Sequence, residues 1–434
     1  MSFDAINDAP DTARRHIAVI GAGISGMSAA RLLAPQHRVT LYEAAPRLGG
    51  HARTVMAGLR GDQPVDTGFI VFNYANYPHL TRMFADLDVP VIKSDMTFAA
   101  SINGGAIEYG LRDLDSVFAQ RRNLIRPQFL GMLRDIDRFN RRAVEAAASD
   151  DISIADVTRQ LGLGEWFTRY YLMPICGAIW STPAGEVEAF PARSLVRFFS
   201  NHALMSARGQ HQWWTVEGGS IQYVQRLARD LAVRGVDIRT GTPVQAVTRD
   251  REAVLGKVQV KAMGGPAETY DQVIFACHSD AALRLLQDPT ADETAALSAI
   301  RFQDNRAVLH RDPGQMPRRR RCWSSWNYMS DGKATGAAVG VSYWMNRLQS
   351  IPADDPLFLT LNPSTPIADD LIYDETTFRH PVFDGPALGA QKALAGLQGQ
   401  NATWFAGAYL RHGFHEDGFA SAVRVARQLD PVFA

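Results

Sequence analysis

Three glycines near one end of the chain and a group of titratable side chains near the other are the residues best placed to do chemistry. The segment HIAVIGAGISGMSAARLLAPQHRVTLYEAAPRLGGHART carries Gly21, Gly23 and Gly26 in the pattern G-x-G-x-x-G, with an acid, Glu43, 22 residues after Gly21. The first glycine allows a tight turn. The second lets a pyrophosphate approach the backbone, and the third lets a helix pack on a strand. Ser25 falls at the helix start, where free N–H groups and the positive dipole end attract phosphate. Glu43 can accept from ribose hydroxyls, which favours FAD or NAD over NADP. Late in the chain, RHGFHEDGFASAVRVARQL gathers His412, His415, Glu416 and Asp417 just before a helical pattern. His415 or Glu416 can take or give a proton. The three cysteines, Cys176, Cys277 and Cys322, are widely spaced, so no metal site and no disulfide framework is expected.

These groups need elements to hold them. Residues 16–20 read as a buried parallel strand, 25–33 as a helix and 38–42 as a second strand ending at Glu43. That order raises the glycine pattern above a chance match. Residues 215–250 read as a glycine turn, a helix and a strand that carries Val244. Residues 257–282 contain two strand-like runs around a Gly-Gly-Pro turn. In NATWFAGAYLRHGFHEDGFASAVRVA a strand delivers Gly407, and a helix begins near Glu416.

The stretch Arg47-Leu48-Gly49-Gly50-His51-Ala52-Arg53-Thr54 resembles the R-x-G-G-x-x-x-T signature of one flavoprotein superfamily: the amine oxidases, phytoene-type desaturases and protoporphyrinogen oxidases. PVDTGFIVFN is similar to its D-x-G segment, 215–250 to its second cofactor segment and 401–426 to its terminal flavin segment. The resemblance implies FAD bound by Gly21, Gly23, Ser25, Gly26 and Glu43. It also implies contacts from Arg47 at a phosphate, from Gly49, Gly50 and His51 beneath the cofactor, and from the Val244 backbone at adenine. Asp66 leads toward the isoalloxazine or caps a turn. Gly407, Phe414, His415 and Asp417 close on the pyrimidine ring, with Asp417 also readable as a simple helix cap. Helix N–H groups there stabilise the negative charge of reduced flavin. The fold class that follows is α/β. A discontinuous Rossmann-like FAD domain takes 1–80, 215–280 and 400–434. An α+β substrate domain with a helical lobe takes 81–214 and 281–399.

Departures from the amine-oxidase pattern bear on the reaction. The stretch RFQDNRAVLHRD lacks the lysine these enzymes keep near flavin N5, and the whole chain has only five lysines. Phe414 stands where they place a tyrosine, and Tyr409 where they place a glutamate. No cysteine follows Cys322, so FAD is expected to be non-covalent. GFHEDG, AIWS, HPVFD and WSSWNY resemble a bacterial branch associated with cyclopropane and methyl-branched fatty-acid metabolism. That likeness implies dehydrogenation of a methylated, monounsaturated phospholipid acyl chain, as on the way to furan fatty acids. His415 or Glu416 is then the base, with His278, His310 and Asp66 as weaker candidates. The alternatives are a flavin amine oxidase, a polyisoprenoid or porphyrinogen desaturase, a flavin-dependent double-bond isomerase, and a flavin-bound structural protein. No second dinucleotide motif is visible, so the electron acceptor stays open among oxygen, a quinone and a partner protein.

Composition narrows the partners. The formal net charge is zero, which does not suggest nucleic acid. Cysteine usage suggests a cytoplasmic protein, and no apolar run is long enough to span a membrane. Residues 112–142 hold eight arginines and four aspartates. Leu124, Ile125, Phe129, Leu130, Leu133, Ile136 and Phe139 recur there near helical spacing. Pro127 should start or break that helix. The stretch reads as an amphipathic helix packed on the core or, alternatively, as a peripheral contact with the inner membrane. RRRR at 318–321 could add to such a contact. Four aromatic clusters, RYYLMPICGAIWS, HQWWTV, CWSSWNYMS and VSYWMN, suggest an apolar substrate pocket.

Overall fold

The computed structural model describes residues 14–149, 152–180, 188, 191–201, 211–250, 252, 257–331 and 340–430. The chain divides into two compact units, and neither is contiguous. The first takes 1–51, 223–301 and 386–434, and the second takes 52–222 and 302–385. The motif-based division differs in placing 52–80 and 215–222 with the cofactor segments and 281–301 and 386–399 with the substrate domain. Long-range contacts, which local motifs do not report, set the compact boundaries.

The first unit is built on a five-stranded parallel sheet. His16–Ile20 lies at its centre between Arg38–Tyr42 and Gln272–Phe275, with Asp237–Arg239 and Thr403–Phe405 at the edges. Ile17 to Ile20 are all buried, which explains a continuous apolar run rather than an alternating one. Ile24–Leu33 follows as a helix, and His415–Leu429 packs against it as the terminal helix. A smaller antiparallel sheet joins Val244–Arg249, Val258–Ala262 and Ala267–Tyr270. Arg249 anchors it: its buried guanidinium donates to Glu293 at 2.5 and 2.8 Å, to Asp288 at 3.2 Å and to Thr403 at 3.2 Å.

The second unit carries a seven-stranded sheet in the order Ile372–Pro381, Phe302–His310, Phe358–Leu361, Gly340–Trp344, Trp326–Met329, Phe98–Ile102, Ile107–Gly110. All pairings are antiparallel except Trp326–Met329 with Phe98–Ile102. Its helical part includes Pro127–Ala146, which starts at the proline expected to start or break a helix. Phe129, Met132, Phe139 and Ala143 form the buried face of that helix. Leu124, Ile125 and Leu130 do not join it and are exposed. Some aromatics of the sequence clusters pack on one another, as Trp326 does edge-on against Tyr343, and aromatics outside the clusters pack in the same way. Tyr109 meets Phe129 edge-on, Phe139 lies against Phe167, and Trp323 meets both Trp344 and Phe358 edge-on. Of the AIWS motif, Ser181 lies outside the described residues.

Candidate active site

The glycine turn is built as its spacing requires. Gly21 has φ +103° and donates its N–H to the Tyr42 carbonyl at 2.8 Å. A Cβ there would sit 2.8 Å from the Ala276 oxygen. A Cβ on Gly26 would overlap the Gly21 carbonyl. Gly23 precedes the Ile24–Leu33 helix, and neither a side-chain cap nor a first-turn acid covers that helix start. Such an uncapped N-terminus is suited to an anion from outside the chain.

The loop carrying Arg47, Gly49, Gly50 and His51 lies directly against this turn. Gly49 donates to the Ala22 carbonyl at 2.9 Å. Gly50 has φ +56°, and a Cβ on it would come within 2.9 Å of the Gly23 Cα. Only glycine fits both demands. Arg47 curls back on its own loop, donating to the Gly50 carbonyl at 2.9 Å. The His51 ring lies 5.9 Å from that of His278. Glu43 is fixed beside the turn, accepting from the Ala22 N–H at 2.7 Å and the Ala45 N–H at 2.9 Å. Val244 begins its strand just after a loop tied to the same place, where Thr242 donates to the Glu43 carbonyl at 2.9 Å.

The closing segment returns to this cluster. The Gly407 N–H donates to the Ser421 hydroxyl oxygen at 2.9 Å, and Ser421 donates to the Gly418 carbonyl at 2.6 Å. A Cβ on Gly418 would meet both Ile24 Cγ2 and Ser25 Oγ at 2.8 Å, so the terminal helix lies close on the glycine helix. The turn before it is held by Gln391, which donates to the carbonyls of Tyr409 and Arg411 at 2.8 and 2.7 Å. Phe414 is the N-cap residue of the terminal helix, which begins at His415, one residue before the expected start. Asp417 accepts from the N–H groups of Phe414 at 3.0 Å and His412 at 3.3 Å, with Arg411 3.5 Å away. That is the geometry of a capping acid. Burial raises its pKa above the usual carboxylate range.

His415 and Glu416 are both at the start of this helix, and Glu416 is buried. His415 Nε2 shares a 2.6 Å hydrogen bond with the Tyr223 hydroxyl. Burial first, and the His51 ring second, push its pKa down to about 3, so the imidazole is neutral at ordinary pH. Tyr223 escaped the sequence reading because it lies 192 residues from His415. Its one local signal was its place on the helix after the second glycine turn.

The remaining candidates are in the second unit. Asp66 is fully buried, and its carboxylate accepts from the Thr54 hydroxyl at 2.6 Å, the Ser220 N–H at 2.8 Å, the Ser220 hydroxyl at 2.7 Å and the Gln349 amide at 3.0 Å. This is the turn-capping role, placed just before the Ile221–Val233 helix. Burial outweighs those donors and pushes the pKa up to about 6. His310 is a core histidine. Its Nδ1 accepts from the Asp312 N–H at 3.0 Å, so Nε2 carries the proton and donates to Thr360 at 2.7 Å. Both ring nitrogens are used, which removes His310 as a base. Among the described residues no cluster of His, Cys, Asp and Glu suits a metal ion.

Residues 24–354 match the model of the flavin-containing amine oxidoreductases. The chain belongs to that family. It is an FAD-dependent oxidoreductase. No curated protein sequence matches it. Among solved structures, a fatty acid isomerase from P. acnes that produces CLA is 15% identical, covering 96% of this chain and 99% of its own, with a TM-score of 0.67. Cyclohexylamine oxidase from Brevibacterium oxydans is 16% identical, with coverage of 96% and 99% and a TM-score of 0.68. A putrescine oxidase bound to putrescine is 15% identical, with coverage of 96% and 99% and a TM-score of 0.67. These likenesses concern the fold. The first unit fits FAD on its own geometry. It has an uncapped helix start for the pyrophosphate, a glycine pair that a Cβ would fill, and a carboxylate held beside them. Among the described residues no helix is long and apolar enough to cross a membrane.

Proposed function

We propose that the protein desaturates a methyl-branched, monounsaturated acyl chain of a phospholipid, with non-covalent FAD as its cofactor. The observation that carries this reading is the turn at the end of the first unit, where the one histidine facing Tyr223 carries no charge. His415 is buried, neutral and bonded to Tyr223, and the charge of Asp417 is spent on backbone N–H groups. With Phe414 and Tyr409 in place of the family's tyrosine and glutamate, this turn suits an apolar substrate better than a protonated amine. FAD, when bound, supplies the hydride acceptor. Loss of hydride from the carbon beside a methyl-substituted alkene leaves an allyl cation with tertiary character. Loss of a proton from the next carbon then gives the diene. Neutral His415 can take that proton at its unprotonated ring nitrogen, and Tyr223 can hold the imidazole in position; Glu416 is the alternative acceptor.

The test is an anaerobic visible spectrum of the flavoprotein before and after phospholipid with methyl-branched monounsaturated chains is added. Bleaching of the oxidised-flavin band with an equal yield of diene supports the proposal; an unchanged spectrum refutes it. A second reading, movement of a double bond without net oxidation, draws on the similar fold of the fatty acid isomerase. It requires an isomerised product without bleaching. Bleaching by simple amines instead would return the protein to amine oxidation. His415→Asn should lower turnover by roughly 10²- to 10⁴-fold with flavin content unchanged.

A further inference from the structure

Three of the exposed large apolar side chains of the second unit fall on two consecutive short turns. Leu114 is 77% exposed, Ile125 84% and Leu124 49%. Leu114 is on a one-turn helix, Leu114–Val117, and the other two are on the 3-10 turn Arg121–Ile125. Asp115 joins these turns to the arginine run at 318–321, since it pairs with Arg121 at 2.6 Å and Arg321 at 3.4 Å. The Arg122 guanidinium donates to the Ala106 carbonyl, and the Arg318 side chain lies against Gly105. Residues 105–126 and 318–321 are thus one surface, with apolar side chains projecting among arginines.

The charge balance of this surface is one-sided. These two stretches hold eight arginines and three carboxylates. Each carboxylate is already engaged: Glu108 is buried on Arg319, Asp113 caps its helix and holds Arg112, and Asp115 is shared as above. Arg122, Arg126, Arg318 and Arg320 form no ion pair among the described residues. Arg126 and Arg320 instead lie over the rings of Trp166 and Trp323.

We infer that this surface docks on an anionic lipid bilayer. Protruding Leu and Ile side chains enter the acyl boundary, and the arginines meet the headgroup phosphates. A single-stranded nucleic acid would call for open aromatic stacking platforms, whereas the projecting side chains are aliphatic and the Trp166 and Trp323 rings already carry arginines over them. A folded acidic protein would call for a shaped recess, whereas a bilayer accepts side chains on a convex turn. The inference rests on the proposed lipid substrate only in giving the docking a purpose.

The test is co-sedimentation of the holoprotein with vesicles of phosphatidylcholine alone and of phosphatidylcholine mixed with phosphatidylglycerol. Binding should need the anionic lipid and weaken with salt. Arg320→Gln with Arg321→Gln should weaken it about 25-fold, roughly fivefold per arginine. Leu114→Ser with Ile125→Ser should also release the protein, while flavin content and circular dichroism stay unchanged. Absence of vesicle binding overturns the inference, as does binding that neither double variant weakens. Loss with the arginine pair but not with the apolar pair also overturns it, because adsorption by charge alone needs no inserted side chains. Binding of polyglutamate but not of vesicles would instead point to an acidic protein. A holoprotein that binds vesicles but is not reduced by their lipid sinks only the desaturase proposal. One reduced by detergent-dispersed lipid yet blind to vesicles sinks only the docking.

Discussion

At the scale of single residues, two buried titratable groups make opposite demands. His415 is held neutral, so its folded pKa lies below the value of about 6.5 that it regains on unfolding. Below that pH the unfolded chain takes up a proton that the folded chain refuses. The contribution is therefore intact at neutral pH and is lost as pH falls. A single group of this kind costs about 2 kcal/mol between about pH 7 and about pH 5. Urea denaturation of His415→Gln should show a shallower acid dependence than the parent by that amount; parallel profiles would mean that the imidazole is solvated. Asp66 poses a problem of donor matching. Four donors converge on its two oxygens, and the Gln349 amide is oriented by its own bond from the Asp66 N–H at 2.8 Å. Asp66→Asn turns one acceptor into a donor facing that amide. We expect a loss of about 1–3 kcal/mol by denaturant titration, although the substitution removes a charge whose burial is costly. A stabilised variant would contradict this account.

At the scale of elements, the buried Arg249–Glu293 pair joins the Val244–Arg249 strand to the helix Ala291–Ser298 and, through Thr403, to an edge strand of the parallel sheet. Burial works against ionisation of Glu293, but the bonds from Arg249 and the Thr290 N–H win and keep its pKa below the usual range. Its contribution is therefore present above the unfolded carboxylate pKa and is lost as pH falls through the folded value. Arg249→Met should cost about 3–5 kcal/mol at neutral pH by leaving Glu293 buried without its cation. The deficit should shrink in acid, where Glu293 takes a proton; a deficit independent of pH would assign the loss to packing. Legibility from sequence divides along the same line. The glycine turn, the Glu43 strand end, the proline start of the 127–146 helix and the terminal helix were readable because each follows from local spacing and backbone sterics. Arg249 with Glu293, Tyr223 with His415, and Asp66 with Ser220 were not readable. Each joins residues brought together only by the tertiary fold, with no local periodicity to mark the partner. Leu124 and Ile125 were misread as part of a helical face because periodicity was counted across Pro127. The backbone changes character there, and both side chains fall off that face.

At the scale of the whole molecule, the chain passes between the two compact units four times. The parallel sheet of the first unit takes two strands from its opening segment, two from the middle segment and one from the last. The terminal helix, also from the last segment, covers the glycine helix through Gly418. A nucleotide held at the glycine turn therefore binds only when the distant segments have assembled, and FAD binding is linked to folding of that unit. Free FAD at about a hundredfold excess over its dissociation constant should stabilise the protein by about 2.7 kcal/mol. A chain ending before Pro386 lacks the edge strand and the covering helix, so it should show no such gain, although every residue of the opening fingerprint remains. Thermal melts of both chains across an FAD titration give the comparison. An equal shift in the truncated chain would mean that the opening segment binds the nucleotide without the closing turn, and that the late histidine turn plays no part in holding the cofactor.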